Sequence, residues 1–208
     1  MSLDDAFLLA CDHVVDRLGD PQVAARWSAP SALQRLSVGA LAVHLGNQVV
    51  RAATVLPLDP GDLPVLASAD EHYARSAWPT AAPEDPVNDR SADEEAALAG
   101  PEAVLAGVGA HREQVRALLR GSPRDVVGVP WAGWALRRED FLLTRALEVV
   151  VHSDDLAASL GEPAALVPDE VFAPVRDLLV RLAVARHGQS AVVAALTRSE
   201  RAQPVSAF

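Results

Sequence analysis

A glutamate and a histidine four positions apart, Glu148 and His152, are the residues of this sequence best suited to hold a metal ion. On an α-helix this spacing puts both side chains on one face, with Cβ atoms about 5–6 Å apart, close enough to share one ion. The valines at 149–151 would also suit a β-strand, on which the pair would lie about 13 Å apart and could not chelate. Residues 139–160 contain no glycine or proline, which favours the helix.

A second histidine is the leading candidate for a third ligand. His44 lies between Val43 and Leu45 in an apolar segment with helical spacing, where a buried imidazole needs a polar partner. Two histidines and one glutamate are typical of a catalytic zinc site, which keeps one position open for water or substrate, and they also suit nickel or iron. Without a metal, His44 would be an ordinary hydrogen-bonded core histidine, and Glu148 and His152 an exposed surface pair.

Several helices must form to bring these side chains together. Apolar periodicity predicts long helices at 3–18, 38–56, 102–120, 139–160 and 169–186, and short ones at 68–78 and 190–196. Gly100-Pro101 should break the helical stretch 91–120, and residues 122–137 should form an irregular or extended crossover rather than a helix. We therefore expect an all-α protein built on about four major helices. We also expect a single domain over residues 1–208, with a core at about 3–188 and a C-terminal extension at 189–208.

Composition and net charge limit the kinds of partner that the protein is expected to bind and the compartment in which it is expected to work. The net charge is -10, with 28 acidic and 18 basic residues, which argues against nucleic acid as the main partner. Apolar stretches are too short and too often interrupted by charge to span a membrane. The single cysteine, Cys11, cannot form an intrachain disulfide, and the N-terminus lacks the pattern of a secretory signal, so we expect a cytoplasmic protein.

Two segments of the sequence resemble a known family. Residues 36–52 (LSVGALAVHLGNQVVRA) and 144–161 (TRALEVVVHSDDLAASLG) are similar to the signature regions of the mycothiol-dependent maleylpyruvate isomerase N-terminal domain, part of the DinB-like superfamily. The family has a histidine followed by leucine in the second helix, as at His44, and the pattern R-x-x-E-x-x-x-H-x-x-D-L. The matching positions are Arg145, Glu148, His152, Asp155 and Leu156. The tail from His187 to Phe208 is also similar to the end of such domains.

The resemblance implies a DinB-like four-helix bundle with short extra helices. It implies a divalent metal, usually zinc, bound by His44, Glu148 and His152, with the thiol mycothiol approaching the open position. A metal-bound thiol loses its proton near neutral pH, and the thiolate could then isomerise a cis-dienoate by addition, rotation and elimination, or transfer to a small electrophile. Bundles of this kind often dimerise, although no exposed stripe in the sequence assigns an interface.

Two alternatives to an enzyme stay open. The chain could be a non-catalytic metal-binding or sensing bundle, or a metal-free bundle in which Glu148 pairs with Arg145. Two departures from the family also matter. Gly39 and Ala40 occupy the region where the family often has an acidic residue, which puts a carboxylate contact of His44 in doubt. The full isomerase has a further C-terminal domain for which residues up to Phe208 leave no room, so we do not expect maleylpyruvate as the substrate.

The neighbours of the ligand candidates have two interpretations each. Arg145 could anchor a carboxylate of the thiol or substrate, or form a salt bridge with Glu148 or Asp155. Asp155 could orient an imidazole, which is slightly favoured, or simply pair with Arg145. Trp131 and Trp134 are expected to pack under the crossover rather than to line a pocket. The four other histidines lie in polar or charged surroundings and are left out of the site: His13, His72, His111 and His187.

Overall fold

A computed structural model describes residues 1–77, 81, 85, 89–164 and 166–208 of the chain. The described elements, in chain order, are α1 (Leu3–Leu18), α2 (Pro21–Ala25), α3 (Val38–Val55), α4 (Ala69–Arg75), α5 (Ser91–Ala97), α6 (Pro101–Arg120), β1 (Val126–Val129), β2 (Trp134–Arg137), α7 (Arg138–Leu160), α8 (Asp169–His187) and α9 (Gln189–Thr197). A short 3₁₀ turn, Ser199–Arg201, follows α9. The protein is thus mostly helical, as the sequence predicts.

Four long helices form the bundle. Helices α1 and α3 each pack against both α6 and α7, and α8 lies outside them against α7 and α1. Their apolar faces meet in one continuous core, in which Phe7, Leu41 and Leu147 are at most 1% exposed. Burial of such side chains is the main favourable contribution to folding, at about 25 cal/mol per Å² of apolar surface. The core therefore fixes α3 beside α7, the two helices that carry the ligand candidates.

The helix ends follow from local chemistry. Ser2 caps α1 by accepting a hydrogen bond from the Asp5 backbone, and the Ser37 side chain caps α3 in the same way through Ala40. The predicted break at Gly100-Pro101 is confirmed, because α5 ends at Ala97 and α6 begins with the proline at its first position. These caps fix the start of each helix and hence the direction in which its side chains point.

The crossover that was predicted to be irregular or extended is extended in part, and its two strands pair in a β-hairpin that the sequence did not predict. Strands β1 and β2 pair antiparallel, with Val126 opposite Arg137 and Val129 opposite Trp134. Gly133 takes the positive φ of 76° that the turn requires. The preceding loop joins the hairpin edge, where Leu66 donates to the Ala135 carbonyl at 2.9 Å. The hairpin is therefore tied to the start of α4.

The remaining predictions concern the shorter elements. The helix predicted at 68–78 is α4, capped by Ser68 and ending at Arg75, while Trp78 and most of the predicted loop 79–90 lie outside the described residues. The predicted short C-terminal helix is α9. After it the chain returns to the bundle, where the Phe208 ring lies 5.2 Å from that of Tyr73. Within the described part of the chain, no helix is both long and apolar enough to cross a membrane.

Candidate metal centre

The packing of α3 on α7 brings His44, Glu148 and His152 together. Each offers one potential ligand atom, and these atoms all lie within 4.8 Å of one another. The rings of His44 and His152 meet edge to face, with centroids 4.5 Å apart. Glu148 and His152 lie one turn apart on α7, so the helix itself sets their spacing, and His44 approaches from the neighbouring helix.

His44 is held by a carboxylate that comes from a third helix. The ring is 5% exposed, and its Nδ1 donates to Oδ2 of Asp93 at 2.8 Å. Asn47 donates to the other carboxylate oxygen, Oδ1, at 2.9 Å. The next residue, Glu94, accepts hydrogen bonds from the backbone and the hydroxyl of Ser37 at 2.6 and 3.0 Å. The hydrogen bonds between Glu94 and Ser37 therefore hold α5 against the start of α3, and they place Asp93 next to the His44 imidazole.

Asp93 supplies the carboxylate that the sequence lacks before His44. An ideal Cβ at Gly39 would lie only 2.6 Å from the Trp27 ring, so a side chain at that position would collide with it. The indole of Trp27 in turn donates to the Ala97 carbonyl at 2.9 Å and holds the end of α5. The carboxylate contact of His44, which Gly39 and Ala40 cannot make, is thus made by Asp93, 49 positions after His44.

His152 is held by carboxylates from its own helix. Its Nδ1 donates to Oδ2 of Asp155 at 2.9 Å, and its Nε2 lies 3.3 Å from Oε2 of Glu148. Asp155 thus contacts the imidazole, as the favoured interpretation requires, and it does not pair with Arg145 in the described structure. Both histidines therefore use Nδ1 for a carboxylate outside the ligand set, and Nε2 is the nitrogen that each would offer to a metal, which at His152 meets Glu148 in the metal-free site.

The two imidazoles differ in charge. Burial lowers the pKa of His44 below its ordinary value, although the hydrogen bond to Asp93 opposes this, so the ring is neutral at pH 7. Burial also opposes the charge on His152, but its hydrogen bonds to Asp155 and Glu148 prevail and raise its pKa to about 9. For Glu148, burial is outweighed by His152 and Arg145, and its pKa falls to about 2. The metal-free site thus holds one proton that a cation must displace.

The residues present fit a divalent metal. Donors bound to tetrahedral zinc at about 2.0–2.1 Å stand about 3.4 Å apart, close to the 3.3 Å between His152 and Glu148. Metal-binding histidines usually donate their second ring nitrogen to a carboxylate, as His44 and His152 do here. Three protein donors leave a fourth position open, which is typical of a catalytic rather than a structural site.

Arg145 is placed by a glutamine rather than by a carboxylate. The residue is 6% exposed, and its guanidinium donates to Oε1 of Gln48 at 2.8 Å and to the Thr144 hydroxyl at 3.3 Å. Gln48 also donates to the His44 carbonyl at 2.8 Å, so it links the arginine to the helix of that ligand. The described ion pairs do not include the salt bridge to Glu148 or Asp155 that the sequence left open. Arg145 therefore keeps a charge that is not neutralised by direct pairing.

The metal-ligand candidates line an open cavity of about 1300 Å³. Trp131 and Trp134 also line it, which corrects the expectation that they only pack under the crossover. A second guanidinium, Arg51, lies over the Trp131 ring, 5.7 Å from its centre. Burial and the nearby charge of Arg145 lower the pKa of Arg51. The cavity thus combines three metal donors with several arginines, Arg51 and Arg145 among them, and an aromatic wall.

Sequence reasoning missed Asp93, which accepts the hydrogen bond of His44, and His72, which lines the cavity. His72 is 7% exposed and faces the cavity, although its polar sequence neighbours suggested an exposed position. Both residues lie on short helices, where periodicity is weak, and their contacts depend on tertiary packing. The alanines and glutamates of α5 make it helical in composition, but they gave no signal for the direction of Asp93.

Comparison with known proteins agrees with the signature segments. The family model for the mycothiol maleylpyruvate isomerase N-terminal domain matches residues 7–157, which include α3, α6, most of α7 and all three ligand candidates. The helices after residue 160 lie outside the match. No curated protein and no solved structure matches the chain. On this match, which covers more than half of its length, the chain belongs to the mycothiol maleylpyruvate isomerase N-terminal domain family.

Proposed function

We propose that the protein is a metal- and mycothiol-dependent enzyme that transfers the thiol to a small electrophile or uses it to isomerise one. The observation that carries the proposal is the set of three ligand atoms within 4.8 Å of one another at the wall of an open cavity. The alternative of a metal-sensing module without chemistry requires no such cavity. A volume of about 1300 Å³ is above the usual range for small-molecule sites, about 300–1,000 Å³, and leaves room for a thiol and a second substrate.

The protein side chains have separate tasks in this proposal. His44, Glu148 and His152 would hold the cation, with zinc as the expected ion and nickel or iron as alternatives. When bound, the metal would lower the pKa of the thiol so that a thiolate is available near neutral pH. Asp93 and Asp155 accept from Nδ1 of the two imidazoles, so that Nε2 of each would be the nitrogen that binds the cation.

The cavity wall would bind the two substrates. Arg145 and Arg51 supply positive charge near the ligand candidates, which suits a carboxylate or another anionic group on the electrophile. Trp131 offers an exposed ring, with 56% of its surface accessible, for an apolar part of either substrate.

Calorimetry tests the proposal directly. Mycothiol titrated into zinc-loaded protein should bind at one site per chain, and His152→Ala should abolish both zinc and thiol binding. His111→Ala is a matched control, because that histidine is partly exposed on α6 and its Nδ1 bonds to the Gly107 carbonyl of the same helix. Binding of zinc without any thiol affinity would support the sensing module instead. Protein that takes up no metal, with a melting temperature unchanged by chelators, would support the metal-free bundle.

A further inference from the structure

His72 is a buried histidine on the cavity wall, separate from the three metal-ligand candidates. It lies on α4, which packs against α7 and α8, and it faces the same cavity as His44 and Glu148. Its ring contacts Tyr73 and Trp134 edge to face, with centroids 5.2 and 5.7 Å away. Aromatic packing on these sides fixes the orientation of the imidazole.

Trp134 determines which nitrogen of His72 carries the proton. The indole Nε1 donates to Nδ1 of His72 at 3.1 Å. An indole nitrogen can only donate, so Nδ1 must hold a lone pair, and the proton of the neutral ring is on Nε2. The β-hairpin positions Trp134 for this contact, since the residue opens β2 opposite Val129.

The second nitrogen of His72 is free to act on a ligand. Within residues 1–77, 81, 85, 89–164 and 166–208, the Nε2 atom of His72 has no hydrogen-bond partner. This atom is also not one of the fully buried polar atoms without a partner, so it is accessible to a ligand. Burial and the charge of Arg145 lower the pKa of His72 to about 4, so the ring stays neutral at physiological pH. A neutral imidazole of this kind is a hydrogen-bond donor suited to an oxygen that gains negative charge.

We propose that His72 is a catalytic residue, whose Nε2–H donates a hydrogen bond to the carbonyl oxygen of an electrophile that has a conjugated carbon–carbon double bond. The inference rests on the proposed function and names the substrate class of the same site. It requires only that the thiol and the electrophile share the cavity that His72 lines.

The electron balance of the step explains the need for this donor. The thiolate sulfur forms a bond to the β-carbon, the double-bond pair moves between the α-carbon and the carbonyl carbon, and the carbonyl oxygen becomes an enolate oxygen. His72 stabilises that negative charge without giving up its proton. Reversal expels the thiolate after rotation and gives the isomer. In a transfer, the proton lost when the thiol ionised is restored at the α-carbon.

Two electrophiles separate this role from a structural one. Mycothiol and zinc-loaded protein are assayed with cinnamaldehyde, which develops an enolate oxygen, and with iodoethane, which alkylates the thiolate with loss of iodide and develops none. His72→Phe should lower kcat for cinnamaldehyde about 100-fold to 1,000-fold, the usual cost of removing one such donor, with KM nearly unchanged. Alkylation by iodoethane should stay within about twofold. His72→Gln, whose amide can donate from a similar position, should recover part of the loss.

A spectroscopic measurement tests the tautomer without any turnover. Histidine labelled with ¹⁵N should show His72 as a single tautomer with the proton on Nε2 at pH 7, and Trp134→Phe should convert it to a mixture. A proton on Nδ1 in the wild-type protein would overturn the proposal, as would equal loss of both reactions in His72→Phe. Alkylation of mycothiol by iodoethane without any reaction of cinnamaldehyde would overturn the role of His72 and leave the proposed function standing. Absence of mycothiol binding would overturn the proposed function itself.

Discussion

Removal of one negative charge at Asp93 should weaken metal binding although the residue touches no metal. Asp93→Asn keeps the size of the side chain but removes the carboxylate that accepts from His44 Nδ1 at 2.8 Å. Substitution of such carboxylates typically lowers metal affinity 10-fold to 100-fold, or about 1.4–2.7 kcal/mol. The side chain of Asp93 is 10% exposed and that of Asp155 is 26% exposed, so solvent screens the second carboxylate more. Asp93→Asn should therefore reach the upper part of the range and Asp155→Asn the lower part.

Zinc affinity is measured by competition with a chromophoric chelator at pH 7.5, with circular dichroism to verify folding. Glu95→Gln and Asp154→Asn are matched controls, since both are exposed carboxylates beside the tested residues. Each control should bind zinc within about twofold of the wild type, as expected for exposed charges. Affinities of both tested variants within that same margin would refute the role assigned to the carboxylates, and so would equal losses in the controls.

Other predictions concern pH, the buried arginine and the packing of α3. Because His152 has a pKa of about 9 in the metal-free site, zinc affinity should rise about tenfold per pH unit from 7 to 9, and calorimetry in buffers of different ionisation enthalpy should detect about one proton released at pH 7. The stability of the metal-free protein should show the opposite trend. Because the pKa of His152 is raised from 6.5 to about 9 in the folded state, its proton stabilises the fold fully below about pH 6.5. Denaturation experiments should show this stability being lost as the pH rises through 9. Gln48→Ala should destabilise the protein by about 1–3 kcal/mol in urea unfolding, because it leaves the buried Arg145 without its acceptor. Gly39→Ala should cost about 1–3 kcal/mol through collision with Trp27, whereas Gly107→Ala, which meets open space in a helix, should stabilise by about 0.5–1 kcal/mol.

The long helices could be predicted from sequence because their signals are local. Apolar residues recur along α1, α3 and α7, and residues such as Ser2 and Gly161 mark their ends through caps that depend on a few neighbours. The i, i+4 spacing of Glu148 and His152 is likewise a property of one helix. The family signatures then identified the helix that supplies His44.

The parts that sequence analysis missed depend on contacts between distant segments. Asp93 meets His44 only because α5 is fastened to α3 through Glu94 and Ser37. The hairpin was missed because each strand has only four residues, too few for a clear alternation of apolar and polar positions. The pairing of Trp134 with His72 depends in turn on that hairpin. Sequence therefore predicted the ligand candidates better than the residues that orient them.

X-ray absorption at the zinc edge tests the central claim most directly, because it reports the ligands around the cation. The account predicts one zinc per chain with only nitrogen and oxygen neighbours at about 2.0–2.2 Å, since the single cysteine, Cys11, is buried in the core. Addition of mycothiol should introduce one sulfur neighbour at about 2.3 Å, and His44→Ala should remove the metal. A spectrum that the thiol leaves unchanged, or full zinc occupancy in His44→Ala, would contradict a three-residue site with an open position for the thiol.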